Sequence, residues 1–414
     1  MGVVAALGLW AAGAAHLPDR AFPRVVCATM VTAVGGSVQL SGNAGPLART
    51  HAGVTVMPLS VTLTGALVLA AGFLRPLRHR AAAGAGEVAG WAARIAVLWL
   101  AALTGLAFAA RQTFAVDLGD GVLGTIGDLF GAEPEVGFTT HVPLTVGFGL
   151  LWLAGVLALA LLAARTAPRP ARAPWFATWV RPGAYAMVAL LLASVAVGLA
   201  VALVAAGTRG RPAQTFALIL LGLPNLVWPV LTIGLGATWK GRVDGPFGLP
   251  VPRLLDEVLR TPDVSTLDLG TLAGHDGRVW WLVVVDAVLL LGAAFLAAAL
   301  TPARLRLWQH ALRMAVALVL TVLTICLVGR ISAHYGLSLL GIGDVGGGLS
   351  GEVLLRAGLW SALGLAALWG LVTGFLGALA AGRARHRGTG PAEGTERPGG
   401  AGPAGPPKAP AEDH

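Results

Sequence analysis

Apolar residues along this chain gather into long runs, not on one helix face at the 3.6-residue spacing of a soluble fold. Residues 54–74, 89–110, 142–164, 183–206, 279–300, 314–329 and 355–381 each reach or approach the roughly 20 residues a helix needs to cross a bilayer. Residues 2–17 form a further run at the short limit, so either the first helix is thin or the true start lies upstream of Met1. Together these runs predict eight membrane spans.

Two apolar stretches do not fit the pattern. Residues 215–239 are long enough to span, yet carry Pro224, Asn225 and Pro229 near their middle. Proline removes a backbone donor and clashes with the carbonyl four residues back, so one smooth helix is not expected here. Broken backbone at membrane depth is tolerated where protein or a wet cavity surrounds it. Charge points the same way. If this stretch crossed, Arg304, Arg306, Arg313, Arg383, Arg385 and Arg387 would leave the side that holds Arg75, Arg78 and Arg80, against the bias of arginine toward cytoplasmic loops. A segment that enters and returns to the same side keeps them together. Residues 22–40, with Arg24 inside and Gly35-Gly36 weakening the second half, are read as a second non-spanning segment.

The expected fold is therefore all-α: a polytopic α-helical membrane protein with about eight transmembrane helices plus two re-entrant or broken segments. Residues 1–381 make one transmembrane domain, and 382–414 a disordered, Gly/Pro-rich cytoplasmic tail. Both termini are expected in the cytoplasm. Gly42, Gly45 and Pro46 after the first broken segment resemble Gly241, Gly245 and Pro246 after the second, which suggests an internal repeat of the kind transporters use. Residues 252–260 are expected to form a short surface helix, and 304–314 another on the inner side.

Composition agrees with this class. Of 414 residues, 56% are hydrophobic and 12% charged, about half the roughly 25% charge of a soluble domain. The excess of Lys and Arg over Asp and Glu, 29 to 20, suits cytoplasmic loops. No basic stripe with interleaved aromatics marks a nucleic-acid surface. Cys27 and Cys326 sit in apolar stretches, as small buried hydrophobes do.

Few residues offer chemistry. Asp286 is the one carboxylate well inside a span, a candidate proton relay or ion ligand; the structural reading pairs it with Arg278 or a backbone group. Asn225 either bonds backbone groups freed by Pro224 and Pro229 or faces a cavity. Gly341-Ile342-Gly343-Asp344 matches the G-x-G-D pattern of intramembrane aspartyl proteases, for which Asp286 is the only candidate second acid; a flexible turn is the plainer reading. No zincin, nucleophile-elbow or Walker pattern occurs, and no cofactor or metal site is expected. Gly370 and Gly374, four apart in the last span, allow a neighbouring helix to approach closely.

Val56-Met57-Pro58-Leu59, Leu223-Pro224-Asn225-Leu226, the run from Gly245 to Pro250, and Gly277-Arg278-Val279-Trp280-Trp281 together resemble the streptophobe family of very hydrophobic actinobacterial membrane proteins. The span opening and the Leu-Pro-Asn segment are more distantly similar to PerM-like proteins linked to cell division. The resemblance implies an envelope-associated scaffold in the cell membrane, with the lipid bilayer and other envelope membrane proteins as partners; no catalytic residue carries over. A secondary transporter or channel using residues 215–239 and Asp286 is the alternative, and an intramembrane aspartyl protease using Asp286 and Asp344 the third.

Overall fold

The computed structural model describes residues 1–17, 21–44, 48–78, 84–115, 135–163, 179–208, 210, 212–243, 265–301, 305–339 and 351–388. In the first half, α1 (Gly2–Ala11) and α2 (Ala21–Thr32) lead to strands β1 (Val38–Ala44) and β2 (Ala48–Thr55). Then come α3 (Leu59–Arg78), α4 (Ala85–Ala109), β3 (Gln112–Ala115), β4 (Glu135–Thr140) and α5 (Val142–Ala163). The second half holds α6 (Arg181–Thr208), α7 (Pro212–Gly234), β5 (Trp239–Val243) and β6 (Ser265–Leu267). It continues through a short α8 (Leu269–His275), α9 (Trp281–Ala299), α10 (Leu307–Val328), β7 (Ile331–Leu339), β8 (Gly351–Ala357) and α11 (Leu359–Gly388).

Eight of these helices, α3 to α7 and α9 to α11, are long and apolar enough to cross a membrane, so the chain is a polytopic helical membrane protein. The membership of the eight differs from expectation at one place. Helix α1 has 10 residues, about 15 Å at 1.5 Å per residue, too short to span; the eighth long helix is α7. Helix α2, at 12 residues, is also short, in keeping with a non-spanning segment. No separate inner helix is seen among the described residues of 304–314, because residues 307–314 form the first turns of α10. Helix α11 continues to Gly388, past the expected boundary at 381; residues 252–260, 340–350 and 389–414 lie outside the described residues.

The hairpins bring a feature the apolar runs conceal. All eight strands join one antiparallel sheet in the order β3-β4-β1-β2-β7-β8-β5-β6. Each half contributes a four-strand block with the same internal order, and the blocks meet where β2 pairs with β7. The registers agree residue for residue. Val38 faces Thr140 in the first half and Trp239 faces Ala357 in the second; Gln112 faces Phe138, and Ile331 faces Leu355.

Element order repeats as well: two helices, a strand pair, two helices, a strand pair and a closing helix, with α8 inserted in the second copy. Even the helix ends correspond. Gly35 and Gly236 leave their helices at φ 92° and 96°, the left-handed conformation that glycine adopts without a Cβ penalty. In both, the glycine N–H bonds the carbonyl three residues back (Thr32, Ile233), and the next N–H bonds the carbonyl five back (Val31, Thr232). The chain is a tandem structural repeat.

One sheet also settles how α7 runs. Helix α5 leaves the sheet at His141, and α6 starts where α5 ends, since Arg181 Nη2 donates to the Leu161 carbonyl at 3.4 Å. The start of α6 therefore lies at the end remote from the sheet. Within α7, Ile219, Leu223 and Asn225 all bond to residues 57–60 at the sheet end of α3, and Gly234 leads through Gly236 into β5. The segment from 219 to 234 therefore starts and finishes at the sheet end.

Candidate functional site at the broken helix

Helix α7 bends at Gly222, whose backbone (φ −139°, ψ 15°) is not helical. The sequence explains the position. Pro224 falls in the first turn after the bend, where its missing N–H would have had no intrahelical acceptor. The bend still leaves polar backbone to satisfy, and two side chains do so. Ser60 Oγ donates to the Ile219 carbonyl at 2.8 Å and accepts the Leu223 N–H at 3.1 Å. Asn225 Oδ1 accepts the Leu59 N–H at 2.9 Å, and its Nδ2 donates to the Met57 carbonyl at 2.7 Å.

Asn225 thus stitches α7 to residues 57–59 at the start of α3; the groups it bonds are not the carbonyls freed by Pro224 and Pro229. Asn225→Leu should strand Leu59 N–H and the Met57 carbonyl, at ~2–5 kcal/mol for the two. A fall of that size in thermal unfolding of the detergent-solubilised protein checks this.

The exit from α7 is anchored more deeply. Pro224 and Pro229 are both buried. Thr232, fully buried, donates its hydroxyl to the Pro229 carbonyl at 2.7 Å and accepts the indole N–H of Trp239 at 2.8 Å. Trp239, 1% exposed, lies over Gly329 at the end of α10, where an added Cβ would stand 3.1 Å from the ring. Trp369 of α11 donates its indole N–H to the Leu235 carbonyl at 3.1 Å. Trp239, the last residue of the apolar stretch 215–239, is the first residue of β5.

Asp286 lies in the second turn of α9 and is 5% exposed. Its Oδ2 has no hydrogen-bond partner and packs on Gly234, the last residue of α7, where no Cβ would fit. Neither Arg278 nor a backbone donor reaches that oxygen, so the structural pairing expected for Asp286 is not formed. The neighbourhood is unfavourable to a negative charge, because α7 points the negative end of its dipole here and the surroundings are apolar.

The repeat shows what the position is for in the other copy. There Thr62 of α3 sits against Ala33, the counterpart of Gly234, and donates its hydroxyl to the Ala33 carbonyl at 2.6 Å. One copy has a satisfied donor, and the other has an acid without one. Asp286→Thr should restore the donor and raise the thermal unfolding midpoint, by the equivalent of ~1–3 kcal/mol. A lower midpoint would show that the carboxyl is bonded in the folded protein.

Asp344 lies outside the described residues, so no geometry joins it to Asp286. Among the described residues no group of three His, Cys, Asp or Glu side chains is placed to hold a metal ion. No family model, curated protein or solved structure matches this chain.

Proposed function

We propose that the protein is a non-enzymatic scaffold of the cell envelope, anchored in the plasma membrane by its helices and binding a partner membrane protein through the sheet. One observation carries this reading. Trp239 buries toward the helices, so Lys240, next along β5, falls on the opposite face, and it stands directly across from Arg356 of β8. Both are exposed. Like charges opposite each other on neighbouring strands destabilise a sheet, and an acidic partner arriving from outside would neutralise them. The resemblance to streptophobe and PerM-like proteins favours the same class.

Sidedness follows from arginine. The connections at the end remote from the sheet, 79–84, 164–180 and 300–306, contain arginines and no acid, which suits the cytoplasm; the sheet then faces outward. Exposed Trp280, Trp281 and Trp360 at the sheet end, with Trp179 and Trp308 at the other, suit the two interfaces of a bilayer.

A photo-crosslinking residue at Lys240 or Arg356 in living cells should capture a membrane protein, and the paired reversal Lys240→Glu, Arg356→Glu should abolish capture by a crosslinker at neighbouring Leu354. Asp286→Asn should leave it intact. The second reading, a proton-coupled carrier, is favoured by Asp286 beside a broken helix within a tandem repeat. Under it, Asp286→Asn would abolish complementation of a deletion strain and the charge reversal would not. That result would replace the scaffold reading.

A further inference from the structure

The cross-strand pair Lys240 and Arg356 has a third member. Carrying the β7–β8 register one step past Ile331 and Leu355 sets Arg330, at the junction of α10 and β7, against the other side of Arg356. Lys240, Arg356 and Arg330 thus form one row across three neighbouring strands, and all three are exposed. Among the described residues no hydrogen bond or ion pair reaches any of them. The adjoining residues Trp239, Leu355 and Ile331 pack into the apolar cluster that joins the sheet to Leu231, Ile233 and Ile325 at the helix ends. Side chains alternate along a strand, so the three cations face away from the helices.

The repeat shows that the fold does not require this row. Val38 corresponds to Trp239, Thr140 to Ala357 and Gln112 to Ile331, so the counterparts in the first block are Gln39, Thr139 and Arg111. They are exposed in the same way. Only one of them is a cation, and its guanidinium lies over the Phe108 ring, 5.1 Å from the centre. The second block lines up three positive charges where like charges oppose strand pairing. A cost borne in one copy and absent from the other points to an anion that comes from outside.

We propose, resting on the scaffold reading above, that the row receives an acidic helix of the partner, lying across the strands with its carboxylates about one turn apart. Strand spacing sets the cations about 4.8 Å from one another, so the row covers roughly 10 Å. Acids at i, i+3 or i+4, and i+7 share one face of a helix and cover about 10.5 Å at 1.5 Å per residue. An extended segment matches less well, since residues on one of its faces recur roughly every 6.7 Å. Lipid phosphate is the less apt anion, because the sheet stands between these side chains and the helix ends that lipid surrounds. Each exposed ion pair contributes little by itself. The row therefore orients a partner that the shared membrane already concentrates beside it.

The test uses the purified full-length protein in neutral detergent at low ionic strength. A photo-crosslinking residue replaces the exposed Thr266, which stands next to Lys240 in the same row. The probe is a stapled helical peptide with Glu at i, i+3 and i+7, compared with a peptide of the same composition whose Glu residues are contiguous. The spaced peptide should crosslink several-fold more, and added salt should erase the difference. Arg330→Gln should lower its yield about two- to fivefold. Arg330→Lys should keep the yield, and Arg111→Gln in the first block should leave it unchanged. A loss with Arg330→Lys as large as with Arg330→Gln, or an equal loss with Arg111→Gln, overturns the row as the binding element. Displacement of the peptide by phosphatidylglycerol but not by phosphatidylcholine overturns a protein occupant in favour of lipid. Equal yields from the two peptides overturn the helix alone, whereas failure of the scaffold reading shows separately, as absence of capture at Lys240 and Arg356 in living cells.

Discussion

Valine at Gly370 should separate α10 from α11 and cost the protein its folded second half. A Cβ at Gly370 would come within 2.8 Å of the Ala315 nitrogen and closer still to its Cα. Both are backbone atoms of α10 and cannot swing aside as a side chain would. Gly374 extends the seam, meeting the Ala311 Cα at 2.9 Å, and Gly377 makes a like contact with α9, at 2.7 Å from the Ala294 carbonyl carbon. Overpacking of a well-filled contact typically costs 1–3 kcal/mol, and a clash with backbone belongs at or beyond the top of that range, so ~3 kcal/mol or more is expected. Gly364→Val supplies the control. It sits on the same helix with nothing within 4 Å of its would-be Cβ, and should leave the unfolding midpoint in detergent nearly unchanged. The spacing of Gly370 and Gly374 thus serves packing within the chain.

Trp239→Ala should be comparably severe, at ~3–5 kcal/mol. It empties the space over Gly329 and takes the indole donor from the buried Thr232 hydroxyl. The loss falls where the broken helix is handed to the sheet, so strand pairing should fail with it. Trp239→Phe separates the two contributions. The ring is largely kept and the N–H is gone, so a penalty of ~1–2 kcal/mol is expected. Thermal unfolding of the two variants, with hydrogen exchange at β5 and β8, checks the size and the place of the effect. A Trp239→Phe penalty as large as that of Trp239→Ala would mean that the bond to Thr232, and not the filled volume, holds the junction.

What the sequence makes legible follows from which forces act locally. Long apolar runs report membrane helices because a helix satisfies its own backbone groups in lipid, and the order of spans from α3 onward was readable for that reason. Pro224, Asn225 and Pro229 announced the broken segment, since proline acts on its own backbone. The sheet was not legible. Its strands are short and glycine-bearing, as in β1 with Ser41, Gly42 and Asn43, and pair with partners up to hundreds of residues away, so neither periodicity nor turn chemistry marks them. Asp286 stood out as an intramembrane acid, but its contact with Gly234 appears only when α7 and α9 are placed together. The comparison with Thr62 requires the repeat. That repeat was faint in sequence because it is kept in backbone registers and in Gly35 and Gly236, while most side chains differ.

The way the two blocks join carries a consequence for self-association. The seam binds the β2 edge of one block to the β7 edge of the other, and β7 is the counterpart of β3. The outermost strands, β6 and β3, are therefore copies of the very edges that meet at the seam, and a second molecule could in principle add on head to tail without limit. Addition of that kind would repeat the β2–β7 pairing between molecules, with the β6 edge of one copy against the β3 edge of the next.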